Sequence, residues 1–296
     1  MRFMNEPTTG DQPELFRRKN DPTSAPEIDL GRASIARVYD MFFEEGKDGF
    51  AVDRVVYEQV RQIAPDGPLV AVMIRRWLDR AIGYLVSRAG INQIIDIGSG
   101  LPRSAPHENT HQIAQRSNPE AMVVYVDNDP SVAAFGRALL EDNVYTHFVQ
   151  QDLVHPQVVL QDPAVQQHID FDRPITLVQS ATLHHVDDDQ DPVRIMRQYV
   201  EVLPPGSYVV LCHWWDPDDE LPEGHELARS LENAWRTSSM GTGRYRSRGE
   251  IEAMFCGLPL LSPGLVELDQ WWPPGPEVTP PTLIERLMLG GVARVP

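Results

Sequence analysis

The chain has 296 residues, 42% of them apolar, enough to bury a substantial core in one elaborated domain or one domain with appendages. Its formal net charge of −17 argues against a nucleic-acid backbone or an anionic membrane as main partner, since both are bound through clustered Lys and Arg. The two cysteines, Cys212 and Cys256, have no neighbours at metal-ligand spacing, no apolar run reaches the ~18–20 residues of a membrane span, and the N-terminus lacks a signal-peptide core; a cytoplasmic protein without disulfides, zinc or membrane anchor is expected.

In chain order, residues 1–30 are polar and proline-bearing and read as an arm that cannot fold alone. Residues 31–90 read as a helical cover. Ile35, Val38, Tyr39, Phe42 and Phe43 recur at helical spacing behind Ser34, and further amphipathic stretches run from Ala51 to Ile63 and from Leu69 to Arg88. From residue 91 strands alternate with helices. Strands are predicted at Ile91–Ile97, Met122–Val126, Val144–Val149, Ile175–Gln179 and Tyr208–Cys212, with helices near Glu108–Arg116, Ser131–Glu141, Gln157–His168 and Pro192–Leu203. A helix at about His225–Thr237 follows, and Gly264–Leu268 and Leu287–Val295 are candidate last strands. The pattern predicts an α/β fold with a doubly wound, mostly parallel sheet over 91–296, carrying insertions at about 214–250 and 269–283.

The first strand ends in Asp96-Ile97-Gly98-Ser99-Gly100, a carboxylate delivered into a Gly-x-Gly turn whose backbone can approach a ligand closely. The second ends in Asp127-Asn128-Asp129, where acceptor-only carboxylates suit ribose hydroxyls, although Asp129 is read as a helix cap. The third ends in Asp152-Leu153, where an acid can accept from the exocyclic amine of an adenine and a leucine can pack on the base. The fourth ends in Ser180-Ala181-Thr182-Leu183-His184-His185, which brings two imidazoles over the cleft, each a structural histidine or a base. Acids ending three consecutive strands beside a Gly-x-Gly loop are improbable as unrelated caps.

This constellation resembles the class I S-adenosylmethionine-dependent methyltransferases, with the Rossmann-like sheet of seven strands that the class implies. The resemblance assigns Gly98 and Gly100 to the methionine end of the cofactor, Asp127 to its ribose and Asp152 to its adenine. A dinucleotide dehydrogenase fits less well, because Arg103 stands where its third glycine would be and Asp152 would have no role. Ser34-Ile-Ala-Arg-Val-Tyr-Asp40, Gly46-Lys47-Asp48, Asp96 to Pro102, Val124 to Pro130, Leu203 to Tyr208 and Gly290 to Arg294 are together similar to an actinobacterial family of S-adenosyl methyltransferases known as a domain of unknown function. That family usually carries Gly-Gly-Lys-Asp-Asn where this chain has Glu45-Gly46-Lys47-Asp48-Gly49.

Methyl transfer from S-adenosyl-L-methionine to a small molecule is therefore expected, a role in bacterial secondary metabolism among the alternatives. Such a transfer needs alignment of nucleophile and methyl group, plus a base where the acceptor carries a proton. His184 is the first choice of base and His185 the second. Tyr39, Lys47 and Asp48 are expected to close over the cofactor, Lys47-Asp48 reading equally as a solvated helix end. Trp214, Trp215, Trp271 and Trp272 are candidates for an apolar acceptor pocket. Use of the cofactor without methyl transfer, an NAD-linked oxidoreductase and a non-enzymatic assembly role stay open as alternatives, as does the oligomeric state, a homodimer included.

Overall fold

A computed structural model of the protein describes residues 28–44, 49–103, 107–273, 275 and 280–296. Strands β1 (Gln93–Ile97), β2 (Met122–Asp127), β3 (Thr146–Gln150), β4 (Thr176–Ser180), β5 (Tyr208–Trp214), β6 (Val266–Glu267) and β7 (Met288–Arg294) form one sheet of order β3-β2-β1-β4-β5-β7-β6. The first five pair in parallel, and β7 enters antiparallel between β5 and β6. Every residue of β1 is buried, as expected of a strand covered on both faces. The strand order reverses between β1 and β4, so a crevice opens at the carboxyl ends of these two strands, where open α/β sheets bind ligands.

Helices α1 (Ile35–Glu44), α2 (Ala51–Ile63) and α3 (Gly67–Ser87) precede the sheet. Ile74, Leu78, Ala81, Ile82 and Leu85 make a buried stripe on α3 that packs against Ile94, Val123 and Tyr125 of the sheet. The opposite sheet face is covered by α6 (Pro156–Leu160), α7 (Pro163–His168), α8 (Pro192–Val200) and α10 (Arg248–Ala253), through Val159, Val165, Ile195, Tyr199 and Ile251. A third cluster is separate from the sheet: Val38, Val56 and Val60 of α1 and α2 meet Ala228, Leu231 and Trp235 of α9 (Pro222–Thr237). These helices roof the crevice.

Several local expectations need correction. The single helix predicted over 157–168 is two, because Asp162 caps a new start by accepting from the Ala164 N–H at 2.9 Å, and Pro163 fits a first turn where no amide partner is lost. The strand at Gly264–Leu268 shrinks to the two residues of β6, and α9 starts at Pro222 rather than His225. Helix α10 lies where no element was expected, although Ser247 and Glu250 form its capping box, a pattern legible in the sequence. The remaining helices, α4 (Thr110–Gln115) and α5 (Pro130–Leu139), lie after β1 and β2, where they were expected.

Candidate active site

A cavity of about 670 Å³ lies between the carboxyl ends of the strands and the helical roof. Its sheet-side wall begins at the loop after β1. Gly98 (φ 71°) donates its N–H to the Val126 carbonyl at 2.7 Å, and a Cβ there would collide with the Thr182 side chain. The bare backbone thus serves close packing of the loops after β1 and β4 as well as approach to a ligand. Gly100 (φ 69°) has room for a side chain but a backbone that disfavours one. The Gly100 N–H donates to Asp127 Oδ2 at 2.9 Å, and the Asp129 N–H donates to Asp127 Oδ1 at 3.0 Å. Each Asp127 oxygen keeps a second lone pair for a ligand. Burial pushes the Asp127 carboxyl up to about 6, against the opposing effect of the Asp129, Gly100 and Asn128 amides.

Asp96 is buried, accepts from Thr110 Oγ1 at 2.6 Å and is raised above the usual carboxylate range by burial, the Thr110 bond and the Arg75 charge acting against the rise. Asp152 accepts from Asn128 Nδ2 and from the Val154 N–H, both at 3.1 Å. The Leu153 carbonyl is held from below by the Tyr199 hydroxyl of α8 at 2.9 Å. Asp129 is the cap it was expected to be: it accepts from the Ser131 N–H at 2.7 Å and from the Ser34 hydroxyl of the roof.

Past Ser180, Ala181 adopts a left-handed backbone (φ 59°), a strained conformation for a residue with a Cβ, and Leu183–His185 form a single 3-10 turn. That turn places His184 flat against Trp214, with ring centroids 3.7 Å apart and planes at 8°. His184 is 2% exposed, and its Nδ1 is buried with no hydrogen-bond partner among the described residues. Burial lowers its basicity well below that of a free imidazole, and the neighbouring His185, His213 and Arg246 lower it further. His185 Nδ1 lies 3.1 Å from Thr242 Oγ1, and burial holds this ring down at about 3. Behind both, Arg246 donates to His213 Nε2 at 3.0 Å, so the His213 proton sits on Nδ1, facing the Trp214 carbonyl at 2.7 Å. Among the described residues no carboxylate is hydrogen-bonded to His184 or His185, and the charge that acts on His184 is the Arg246 guanidinium.

The far end of the cavity is apolar, lined by Phe42, Trp214, Leu231, Trp235 and Leu287. Of the four tryptophans expected there only Trp214 faces the cavity. Trp215 is buried in the sheet core, Trp271 is fully buried against Trp77, and Trp272 donates its indole N–H to the Ser262 carbonyl at 2.9 Å. A buried tryptophan and a site tryptophan look alike in sequence, and packing alone separates them. Trp235 and Tyr245, 5.4 and 5.1 Å from the Trp214 ring, complete the wall from segments no motif marked.

Tyr39, Asp96, Gly98, Ser99, Gly100, Asp127, Asn128, Asp152, Leu153, Ser180, His184 and His185 all line this one cavity. Lys47 and Asp48 lie outside the described residues. Arg103, which stands in for a third glycine, pairs with Asp40 and covers the Tyr39 and Phe43 rings, its guanidinium carbon 5.4 and 4.4 Å from their centroids. Among the described residues no cluster of His, Cys, Asp or Glu is arranged to hold a metal ion.

A sheet of order 3-2-1-4-5-7-6 with one antiparallel strand, a glycine loop after β1 and acids ending β2 and β3 defines a class I S-adenosylmethionine-dependent methyltransferase. Residues 21–296 match the family described as S-adenosyl methyltransferase, and the chain belongs to it. A crystal structure of a candidate methyltransferase from Thermobifida fusca YX is 36% identical (TM-score 0.81), covering 90% of this chain and 97% of that one. A DUF574 family protein from Streptomyces avermitilis MA-4680 is 33% identical (TM-score 0.82), covering 91% and 100%. No functionally curated protein matches.

Proposed function

We propose that this methyltransferase acts on a small, largely apolar molecule held at the Trp214 end of the cavity, within the cytoplasm. The observation that carries this reading is the continuity of one roofed cavity, polar at the glycine loop and apolar under α9, with about 670 Å³ to share between cofactor and acceptor. A macromolecular acceptor would need an open groove, and a nucleic acid would meet the net charge of −17.

The lining suits the cofactor. Asp127 retains acceptor capacity for the ribose hydroxyls, Asp152 is an acceptor for the adenine amine with Leu153 against the base, and Ser99 Oγ is buried without a partner among the described residues, in the loop that would take the amino-acid end. When bound, S-adenosylmethionine supplies an electrophilic methyl group on a sulfonium. The protein's part is alignment and exclusion of water, for which the roof and the aromatic wall suffice. His184 is the residue we place beside the acceptor, its unpartnered Nδ1 taking a hydrogen bond from the acceptor's O–H or N–H and then its proton. An imidazole this weakly basic holds the proton only until the methylated product leaves and then releases it to solvent, which favours acceptors acidic enough to part with it readily.

The test is incubation of the purified protein with methyl-labelled cofactor and a fractionated cell extract. Label in a small-molecule product with matching release of S-adenosylhomocysteine is expected. Label in protein or nucleic acid, or cofactor consumption without methylated product, would overturn the reading.

A further inference from the structure

Of the guanidiniums that line the cavity, two are neutralised within the protein. Arg37 is paired with Asp53, Nε to Oδ2 at 2.7 Å, and Arg103 is paired with Asp40. Arg75 is different. It projects from α3 into the cavity, and no carboxylate lies within ion-pair distance of it among the described residues. Its Nη2 donates to the Glu108 backbone carbonyl, and its Nε is buried with no partner. A half-buried guanidinium whose Nε is shut away from water with no acceptor, and with no carboxylate within ion-pair distance among the described residues, is a site that a ligand's anionic group would satisfy.

Its neighbours indicate which ligand. Arg75 is close enough to Asp96, at the start of the glycine loop, to favour that carboxylate's ionised form, and close enough to Tyr39 to act on its hydroxyl. Asp96 keeps one oxygen clear of Thr110, and Ser99 Oγ is the other orphan at this end. An acid and an unmatched guanidinium flanking one loop form a template for a zwitterion, ammonium toward Asp96 and carboxylate toward Arg75. The planar fork of arginine suits a carboxylate in a way that a point charge does not.

We propose that Arg75 binds the carboxylate of the cofactor's amino-acid end and so positions the sulfonium along the cavity. This rests on the reading of the cavity as the cofactor site. The glycine loop holds the same end of the ligand by shape; Arg75 supplies the charge. As the cofactor has a single anionic group, its loss is felt only by ligands that carry that group.

The experiment is calorimetric titration of the wild type, Arg75→Met and Arg75→Lys with S-adenosylhomocysteine and with 5′-methylthioadenosine, which shares the adenosyl thioether but lacks the amino-acid portion. Arg75→Met is expected to weaken S-adenosylhomocysteine by about 30-fold or more and to leave methylthioadenosine within about 2-fold. Arg75→Lys is expected to lose about 5-fold for S-adenosylhomocysteine alone, keeping the charge without the fork, and it tests the same point should the methionine variant not fold. Equal weakening of both ligands, or unchanged S-adenosylhomocysteine affinity, would overturn the proposal by itself. A wild type that binds neither compound would overturn the cofactor reading and the proposal with it.

Discussion

Asp127 gives the cavity a pH dependence whose sign follows from its surroundings. Its folded carboxyl is raised from 3.8 to about 6, so its contribution to the stability of the free protein is fully present below 3.8 and is lost as pH rises through about 6. A ligand donating to the ionised carboxylate pulls the other way. S-adenosylhomocysteine affinity is therefore expected to rise as pH is raised through about 6 and to level off above it, and Asp127→Asn should flatten that limb; titration calorimetry between pH 5 and 8 reads both. His185, held at about 3 by burial, contributes no limb in this range, and burial lowers His184 in the same direction. His184→Ala is expected to lower kcat about 10²-fold or more while leaving S-adenosylhomocysteine affinity within a few-fold, because its partner is the acceptor. A loss confined to cofactor affinity would remove His184 from the proposed role.

The roof is joined to the sheet by polar clamps. Arg37 of α1 makes two hydrogen bonds to Asp53 of α2, Nε to Oδ2 at 2.7 Å and Nη2 to Oδ1 at 3.2 Å, and a third from Nη1 to Ser131 Oγ at 3.1 Å, at the start of α5. Removing one partner of so deeply buried a pair leaves the other charge unmatched, so Asp53→Asn should destabilise the protein by roughly 3–5 kcal/mol, read as a lowered denaturation midpoint. Simultaneous Arg37→Met and Asp53→Leu is expected to recover part of that loss, since no buried charge is then left unpaired, the remainder reflecting the Ser34 and Phe50 amides that lose the Asp53 acceptor. The loop after β1 is equally constrained. Gly98→Ala combines a left-handed backbone with collision against Thr182, and is expected to abolish S-adenosylhomocysteine binding or folding, whereas Thr182→Ser in the same chain relieves only the steric part.

In the whole molecule the crevice lies between two separately packed bodies, the sheet with its flanking helices and the small cluster of α1, α2 and α9. A ligand filling the space between them contacts both and stabilises their union. Saturation with S-adenosylhomocysteine at about 100 times its dissociation constant is expected to add about 2.7 kcal/mol, measurable as a raised melting temperature. NAD at the same excess is expected to add nothing; a comparable shift with NAD would reopen the oxidoreductase alternative.

The sheet strands, the loop glycines and the acids at three strand ends were readable in the sequence because they are local: burial on both faces writes unbroken apolar runs, and a turn that must bend sharply writes Gly98 and Gly100. Asp129 as a cap was readable for the same reason, since Asp-Pro-Ser at a helix start satisfies its own amides. What joins distant segments left no such trace. Arg75 looks like any polar residue on an amphipathic helix until the fold leaves it without a counter-charge among the described residues, and Arg37 and Arg103 look identical to it until Asp53 and Asp40 arrive. Trp214 and Trp271 are each one half of a tryptophan pair in sequence, and only packing sends the first to the cavity and the second into the core. Local periodicity and turn chemistry act over a few residues, whereas the pairing of a charge or the burial of a ring is settled by whichever groups the folded chain brings beside it.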